Sequence, residues 1–320
     1  MARFDVTTIG EGQLRYCVQA GNRLETANQL DVYPTGTEAN VVSLLSRLGW
    51  KTGWFSALPN SPLGRRFASS LRPAGVDLTA VRWQDNARIA TYYVEYAKPP
   101  RSTQVYYDRA NTAFTNMTID DVDWEYLLNT RLLHISGLTL PLSDSINEIL
   151  HTAVSKAKAR NIPVSFDMNY RSRIWTPEEA VTAVEPIIKQ VNILFFARGD
   201  IEIMYGKQEN NECLFKLMTE KTDAKNIIIS LSGDGLLGFD QQSYYQEPAR
   251  EVEIIDRIGA GDAMVAGVLH GYLQGNFPKG LRYGTLTGAL ALSQWGDQLI
   301  TTAEELDSMV NQTEAKSITR

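Results

Sequence analysis

The sequence predicts an α/β protein, a mostly parallel sheet covered by helices with a small β lid standing off it. Short apolar runs rich in β-branched residues alternate with amphipathic stretches of helical period, as in successive βαβ units. That alternation lapses at Ile89–Tyr107, where TYYVEY and TQVYY flank a Lys98-Pro99-Pro100-Arg101 turn with no helix between them. With 320 residues, 43% of them hydrophobic and 21% charged, the chain can bury a large core.

In chain order, Val6–Ile9 reads as a first strand. Tyr16–Tyr33 is polar and lacks a strong period. Glu38–Leu48 is a helix with Ala39, Val42, Leu45 and Leu48 near one face. Thr52–Ala57 is a strand, and Pro62–Leu71 a helix entered through proline at a permitted position. Arg131–Ser136 is a short buried strand, followed by a helix from about Ser143 to Arg160. Strands at Ile162–Asp167 and Val191–Phe196 bracket a helix at Pro177–Lys189, and Asn226–Leu231 is another strand. A further apolar strand ends at Asp256. Helices over about Gly261–Gln274, Lys279–Gln294 and Ala303–Asn311 close the chain. No repeat or long linker is visible, so residues 1–320 are read as one domain whose lid comes from about 12–36 and 88–110.

A formal net charge of −6 argues against a nucleic-acid groove, though a local positive pocket remains compatible with it. Two cysteines, Cys17 and Cys213, give no disulfide framework, and three scattered histidines lack zinc-ligand spacing. No run approaches the ~18 apolar residues of a membrane span. Met1-Ala2-Arg3-Phe4-Asp5 lacks the order of a signal peptide. The expectation is a cytoplasmic protein with neither membrane nor nucleic-acid partner.

The segment richest in chemistry is EVEIIDRIGAGDAMVAGVLHGYL, residues 251–273. After Asp256 a glycine turn leads into a helix apolar almost all round, which must be buried. Its opening offers the backbone N–H groups of Gly259, Ala260 and Gly261 and the positive end of the helix dipole, a geometry that binds phosphate. Asp262 beside it can take a proton from a substrate hydroxyl. The residues alone leave open a plain turn capped by Asp262.

This strand–GAGD–helix unit resembles the signature of the ribokinase-like (PfkB) carbohydrate kinases. Thr35-Gly36-Thr37-Glu38-Ala39-Asn40 resembles the family's amino-terminal glycine motif at Gly36 and Asn40. The resemblance spans nearly the whole chain and implies a three-layer α/β/α sandwich, ATP as donor and Mg²⁺ on the phosphates. A closer likeness is to 2-keto-3-deoxygluconate kinases. It is carried by Val105-Tyr106-Tyr107-Asp108-Arg109-Ala110-Asn111, by Asp167-Met168-Asn169-Tyr170-Arg171 with Trp175, and by Asp256-Arg257-Ile258 and Gly296-Asp297. By that likeness Gly36, Asn40, Tyr92, Tyr107, Arg109 and Arg171 contact a sugar acid. A guanidinium fork suits its carboxylate. Asp262 is the base, and the 259–261 amides the anion hole.

Nucleotide and metal residues match less closely. Where the family has N-x-x-E, this chain has Ala197-Arg198-Gly199-Asp200, leaving Asp200 as an indirect, water-mediated metal contact. Arg198 reads either as a new phosphate contact or as a surface charge. Ser230-Leu231-Ser232-Gly233-Asp234-Gly235 keeps Ser230, Gly233 and Gly235 for the nucleotide but lacks a lysine. Arg15 stands where many relatives carry a sugar-binding acid and would favour an anionic substrate. Two alternatives stay open at this point: a kinase for a neutral sugar such as fructose or ribose, and a non-catalytic ligand-binding pseudokinase. A dinucleotide dehydrogenase is disfavoured, because Gly10-Glu11-Gly12-Gln13-Leu14-Arg15 lacks a third glycine and a following helix. Exposed lid edges, paired between subunits as is common in the family, imply a homodimer.

Overall fold

The computed structural model describes residues 2–310. Its strands are β1 (Phe4–Ile9), β2 (Gln13–Val18), β3 (Asp31–Thr35), β4 (Thr52–Phe55), β5 (Ala57–Pro59), β6 (Arg82–Gln84), β7 (Ala90–Glu95) and β8 (Gln104–Asp108). They continue as β9 (Thr130–Ser136), β10 (Val164–Asp167), β11 (Ile193–Ala197), β12 (Asn226–Ser230), β13 (Leu236–Phe239) and β14 (Tyr244–Glu247). Helices α1 (Thr37–Arg47), α2 (Pro62–Leu71), α3 (Trp124–Leu128), α4 (Asp144–Ala159) and α5 (Pro177–Ile188) are followed by α6 (Arg198–Tyr205) and α7 (Asn211–Lys221). Helices α8 (Ala260–Leu273), α9 (Phe277–Leu292) and α10 (Ala303–Met309) come last. Asn311, the expected end of that final helix, lies outside the described residues.

An eight-stranded sheet runs β14-β13-β12-β11-β10-β9-β1-β4. Pairing is parallel from β12 through β4, and antiparallel where β13 and β14 extend one edge. Alternation along each strand feeds a core on each face. In β12, Ile227 and Ile229 join the core beneath α4, α5 and α7, whereas Ile228 joins the one beneath α1, α8 and α9. This is the expected three-layer sandwich, with the carboxyl ends of the parallel strands on one rim.

A second sheet, β3-β2-β7-β8, stands over that rim. The polar stretch Tyr16–Tyr33 connects and partly forms two of its strands. The expected strand Thr52–Ala57 is interrupted at Ser56, because β5 turns away to pair with β6. The strand expected to end at Asp256 is absent. Ile255 and Asp256 donate their amides to the Leu292 carbonyl at the end of α9, at 2.8 and 3.2 Å, instead of joining a sheet edge. Ile254 and Ile255 are consequently 43% exposed. A β-rich composition does not by itself make a strand.

Candidate active site

Asp262 lies in the first turn of α8, 8% exposed, at the wall of a cavity of about 330 Å³. Gly259 precedes the helix in the left-handed region, φ 89°. A Cβ there would stand 2.4 Å from the Asp297 carbonyl oxygen, so both backbone angle and space require glycine. A Cβ on Gly261 would meet nothing within 4 Å, which leaves the turn open to a ligand. The opening amides of α8 have no carbonyl partner within the helix.

The Asp262 carboxylate is held from two sides. Thr37 Oγ1 donates to Oδ1 at 2.6 Å and Asn40 Nδ2 to Oδ2 at 2.7 Å. Asn169, in the left-handed region at φ 43°, donates from Nδ2 to Thr37 Oγ1 at 2.9 Å and extends the chain of bonds. Burial raises the Asp262 pKa, against the lowering effect of these two donors and of the Arg171 charge. Asp167, at the end of β10, is pushed up to about 8 by burial and by the charges of Asp262 and Asp200.

Tyr92, Tyr107, Arg109 and Arg171 all line this cavity, as do Gly259, Gly261, Ser230 and Asp200. Arg109 is oriented by Glu11, whose Oε2 accepts from its Nε at 2.9 Å, while Thr112 donates to Glu11 Oε1 at 2.8 Å. Arg171 donates one guanidinium nitrogen to the Tyr170 carbonyl at 2.9 Å. Gly36 and Asn40 stand behind the wall rather than in it. A Cβ on Gly36 would meet the Glu11 carbonyl oxygen at 2.5 Å, and Asn40 reaches Asp262 itself.

A second cavity, of about 580 Å³, adjoins the first and shares Ser230, Arg257, Gly261 and Met264 with it. Gly233, Gly235 and Ala260 line this second space beside apolar Val252, Ile254 and Leu292. The α8 turn thus stands where the two cavities meet, with the exposed Arg257 at the junction. Asp200 accepts from the Tyr170 amide at 3.3 Å, and burial raises its pKa. Arg198 turns away and donates to Asn211, bracing α6 on α7.

Two spaces joined at an amide-rich helix terminus, with a buried carboxylate on one side, suit group transfer between two ligands. A pfkB family carbohydrate kinase model matches residues 5–304. The chain belongs to that family. It is a phosphotransferase with an alcohol acceptor, an ATP-dependent sugar kinase. Among relatives of this kinase, the 2-dehydro-3-deoxygalactonokinase of Haloferax volcanii is 33% identical, with 96% of each chain covered. The 2-dehydro-3-deoxygluconokinase of Thermoproteus tenax is 27% identical over 92% of this chain and 90% of its own. The 2-dehydro-3-deoxygluconokinase structure from Thermotoga maritima superposes with a TM-score of 0.90 at 30% identity, covering 97% of this chain and all of that one.

Arg15 requires a correction. It does not line either cavity to bias the substrate. Its side chain is fully buried against Asp256 and Asp297, because β2 is an inner strand of the second sheet and turns this residue inward. Sequence reasoning also passed over the roles of Thr37, Asn169 and Asp167 around Asp262, although each falls inside a segment it had quoted.

Proposed function

We propose that this pfkB-family kinase transfers the γ-phosphoryl group of ATP to a primary hydroxyl of 2-keto-3-deoxygluconate or a closely related 2-keto-3-deoxy sugar acid. The observation that carries the reading is that Arg109 and Arg171 line the same cavity as Asp262. A carboxylate held by those guanidinium groups leaves the other end of a short sugar acid near the carboxylate of Asp262. The names of the relatives from Haloferax volcanii and Thermotoga maritima support the same acceptor class.

Asp262 takes the hydroxyl proton as the acceptor oxygen bonds to the γ-phosphorus and the bond to the bridging oxygen of ADP breaks. The α8 amides hold the phosphoryl oxygens meanwhile, and Arg257 lies close enough to the same junction to share that charge. Tyr92 and Tyr107 wall the sugar. Ser230, Gly233, Gly235 and the apolar residues of the second cavity accept the nucleotide. The donor set fits Mg²⁺ carried in on the triphosphate rather than caged by protein. No group of three candidate ligands occurs among the described residues, while Asp167 and Asp200 face the cavity with raised pKa values that a cation would offset. Bound there, the ion would supply charge neutralisation on the phosphates, and Asp200 and Asp167 are the residues that would hold it.

We further propose one working domain over the whole chain, with the β3-β2-β7-β8 sheet as its lid. The experiment is a substrate panel with ATP and Mg²⁺, scored by product mass. Sugar acids should be phosphorylated in preference to fructose and ribose, and Arg171→Ala should raise KM for the acid by ~10-fold or more. Preference for neutral sugars, undiminished by Arg171→Ala, overturns the assignment.

A further inference from the structure

The chemistry just described leaves one buried charged cluster without a part. Arg15 stands in the middle of β2, its side chain 0% exposed. Its Nη2 donates to Asp256 Oδ2 at 2.6 Å, and its Nη1 lies 3.2 Å from Asp297 Oδ1 and donates to the Tyr96 hydroxyl at 3.0 Å. The guanidinium carbon sits 4.6 Å from the centre of the Tyr33 ring. Strands β2, β3 and β7 of the lid therefore converge on two carboxylates from the body of the molecule.

Those carboxylates belong to the two loops that form the α8 turn. Asp256 Oδ1 accepts from the Tyr96 hydroxyl at 2.6 Å and from the Ile258 amide at 3.1 Å, one residue before Gly259. Its Oδ2 accepts from the Gly296 amide at 3.3 Å. Asp297 Oδ2 accepts from Thr35 and, at 3.2 Å, from Tyr92, and Gly259 packs against the Asp297 backbone. Two buried acids this close together repel unless a cation lies between them. Without the guanidinium, the spacing of the loops carrying Ile258 and Gly296 is left to the Asp256–Gly296 hydrogen bond and the packing of Gly259, against the repulsion of the two acids.

We infer that Arg15 is a positioning residue, whose guanidinium fixes the lid to the 256–259 turn and so sets the distance between the sugar-holding wall and the phosphoryl-holding amides. The inference rests on the reading of the α8 turn as the phosphoryl-holding element. Thr35 and Tyr92, which line the sugar cavity, are bound into the same cluster, so a shift of the turn moves against the wall that places the acceptor. In-line transfer is sensitive to such a shift, since misplacement by about 1 Å costs on the order of 10²-fold in rate.

The test uses the full chain with 2-keto-3-deoxygluconate, ATP and Mg²⁺. Arg15→Met, similar in length and uncharged, should lower kcat by ~10- to 100-fold while the calorimetric Kd for Mg–ATP stays within about threefold. In Arg15→Ala, added methylguanidinium should restore part of kcat, which a merely structural loss would not allow. Arg15→Met that is folded by circular dichroism and turns over at the parental rate overturns the inference. Should Arg15→Met fail to fold, Arg15→Lys decides. It keeps the charge but cannot bridge both carboxylates, so a kcat loss supports the role and a parental kcat overturns it. Asp262→Asn, assayed alongside, separates the two readings. Full activity in that variant removes the reading of the turn itself, whereas an inactive Asp262→Asn beside a fully active Arg15→Met removes Arg15 alone.

Discussion

At the scale of single residues, the site depends on how Asp262 is held. Burial raises its pKa, and the hydrogen bonds from Thr37 and Asn40 oppose that rise by favouring the carboxylate. Asp262→Asn should lower kcat by ~10²–10⁴-fold while sugar binding and the melting temperature change little. The substitution is sterically conservative, and Asn40 can accommodate it. The Asn40 Oδ1 is buried with no partner, so rotating that amide lets it accept from the new side-chain NH₂. Parental turnover in steady-state assays would rule Asp262 out as the base. The pH profile follows from the same shift. A base works deprotonated, so a raised pKa places the acid limb of kcat/KM above the ordinary aspartate value of about 4. Activity should fall as pH falls through that limb, and the limb should be missing from the residual activity of Asp262→Asn.

At the scale of elements, helix α1 carries an unusual stability term. Glu38 is fully buried in its first turn, and burial pushes its pKa from 4.5 to about 8, despite a hydrogen bond from Thr139. The folded state therefore keeps a proton that the unfolded chain releases. That contribution is fully present below pH 4.5 and declines as pH rises through about 8. Glu38→Gln mimics the neutral carboxyl, so urea midpoints across that window should fall less steeply with pH than those of the parent. Equal slopes would refute it. Helices α8 and α9 meet through glycine, where a Cβ on Gly271 would lie 2.2 Å from the Gly280 Cα. Gly271→Ala gains about 1 kcal/mol of helix propensity. Backbone cannot yield as a side chain does, so overpacking at the upper end of about 1–3 kcal/mol outweighs that gain. A thermal scan should show a lower melting temperature, and a higher one would mean that the helices can separate freely.

At the scale of the whole molecule, the lid sheet has open edges at β3 and β8, and Tyr106 on β8 is 53% exposed. Such an edge beside exposed aromatic surface invites pairing with a second copy. Light scattering at working concentration should give the mass of a dimer, and Tyr106→Lys should shift it toward monomer. A monomeric parent would dismiss the lid as an interface. No helix among the described residues is long and apolar enough to cross a membrane.

Much of this was legible from the chain alone. The α/β order could be read because period and strand composition are local properties, and the Gly259–Asp262 turn because its parts are consecutive in sequence. The local signal misled at 251–256, where an apolar run pairs with no strand and bonds to the end of α9 instead. Arg15 was misread for a related reason, since nothing near it in sequence reveals its partners. Asp256 stands 241 residues away, and Thr37 stands 225 from Asp262. Sequence by itself determined the class of fold and the glycine turn that opens α8, and it supplied the proposal of Asp262 as the base, each encoded within a few neighbouring residues. Which side chains hold the Asp262 carboxylate, and which buried charges join the small sheet to the α8 turn, only the tertiary structure decided, because burial and ion pairing depend on distance in space and not along the chain.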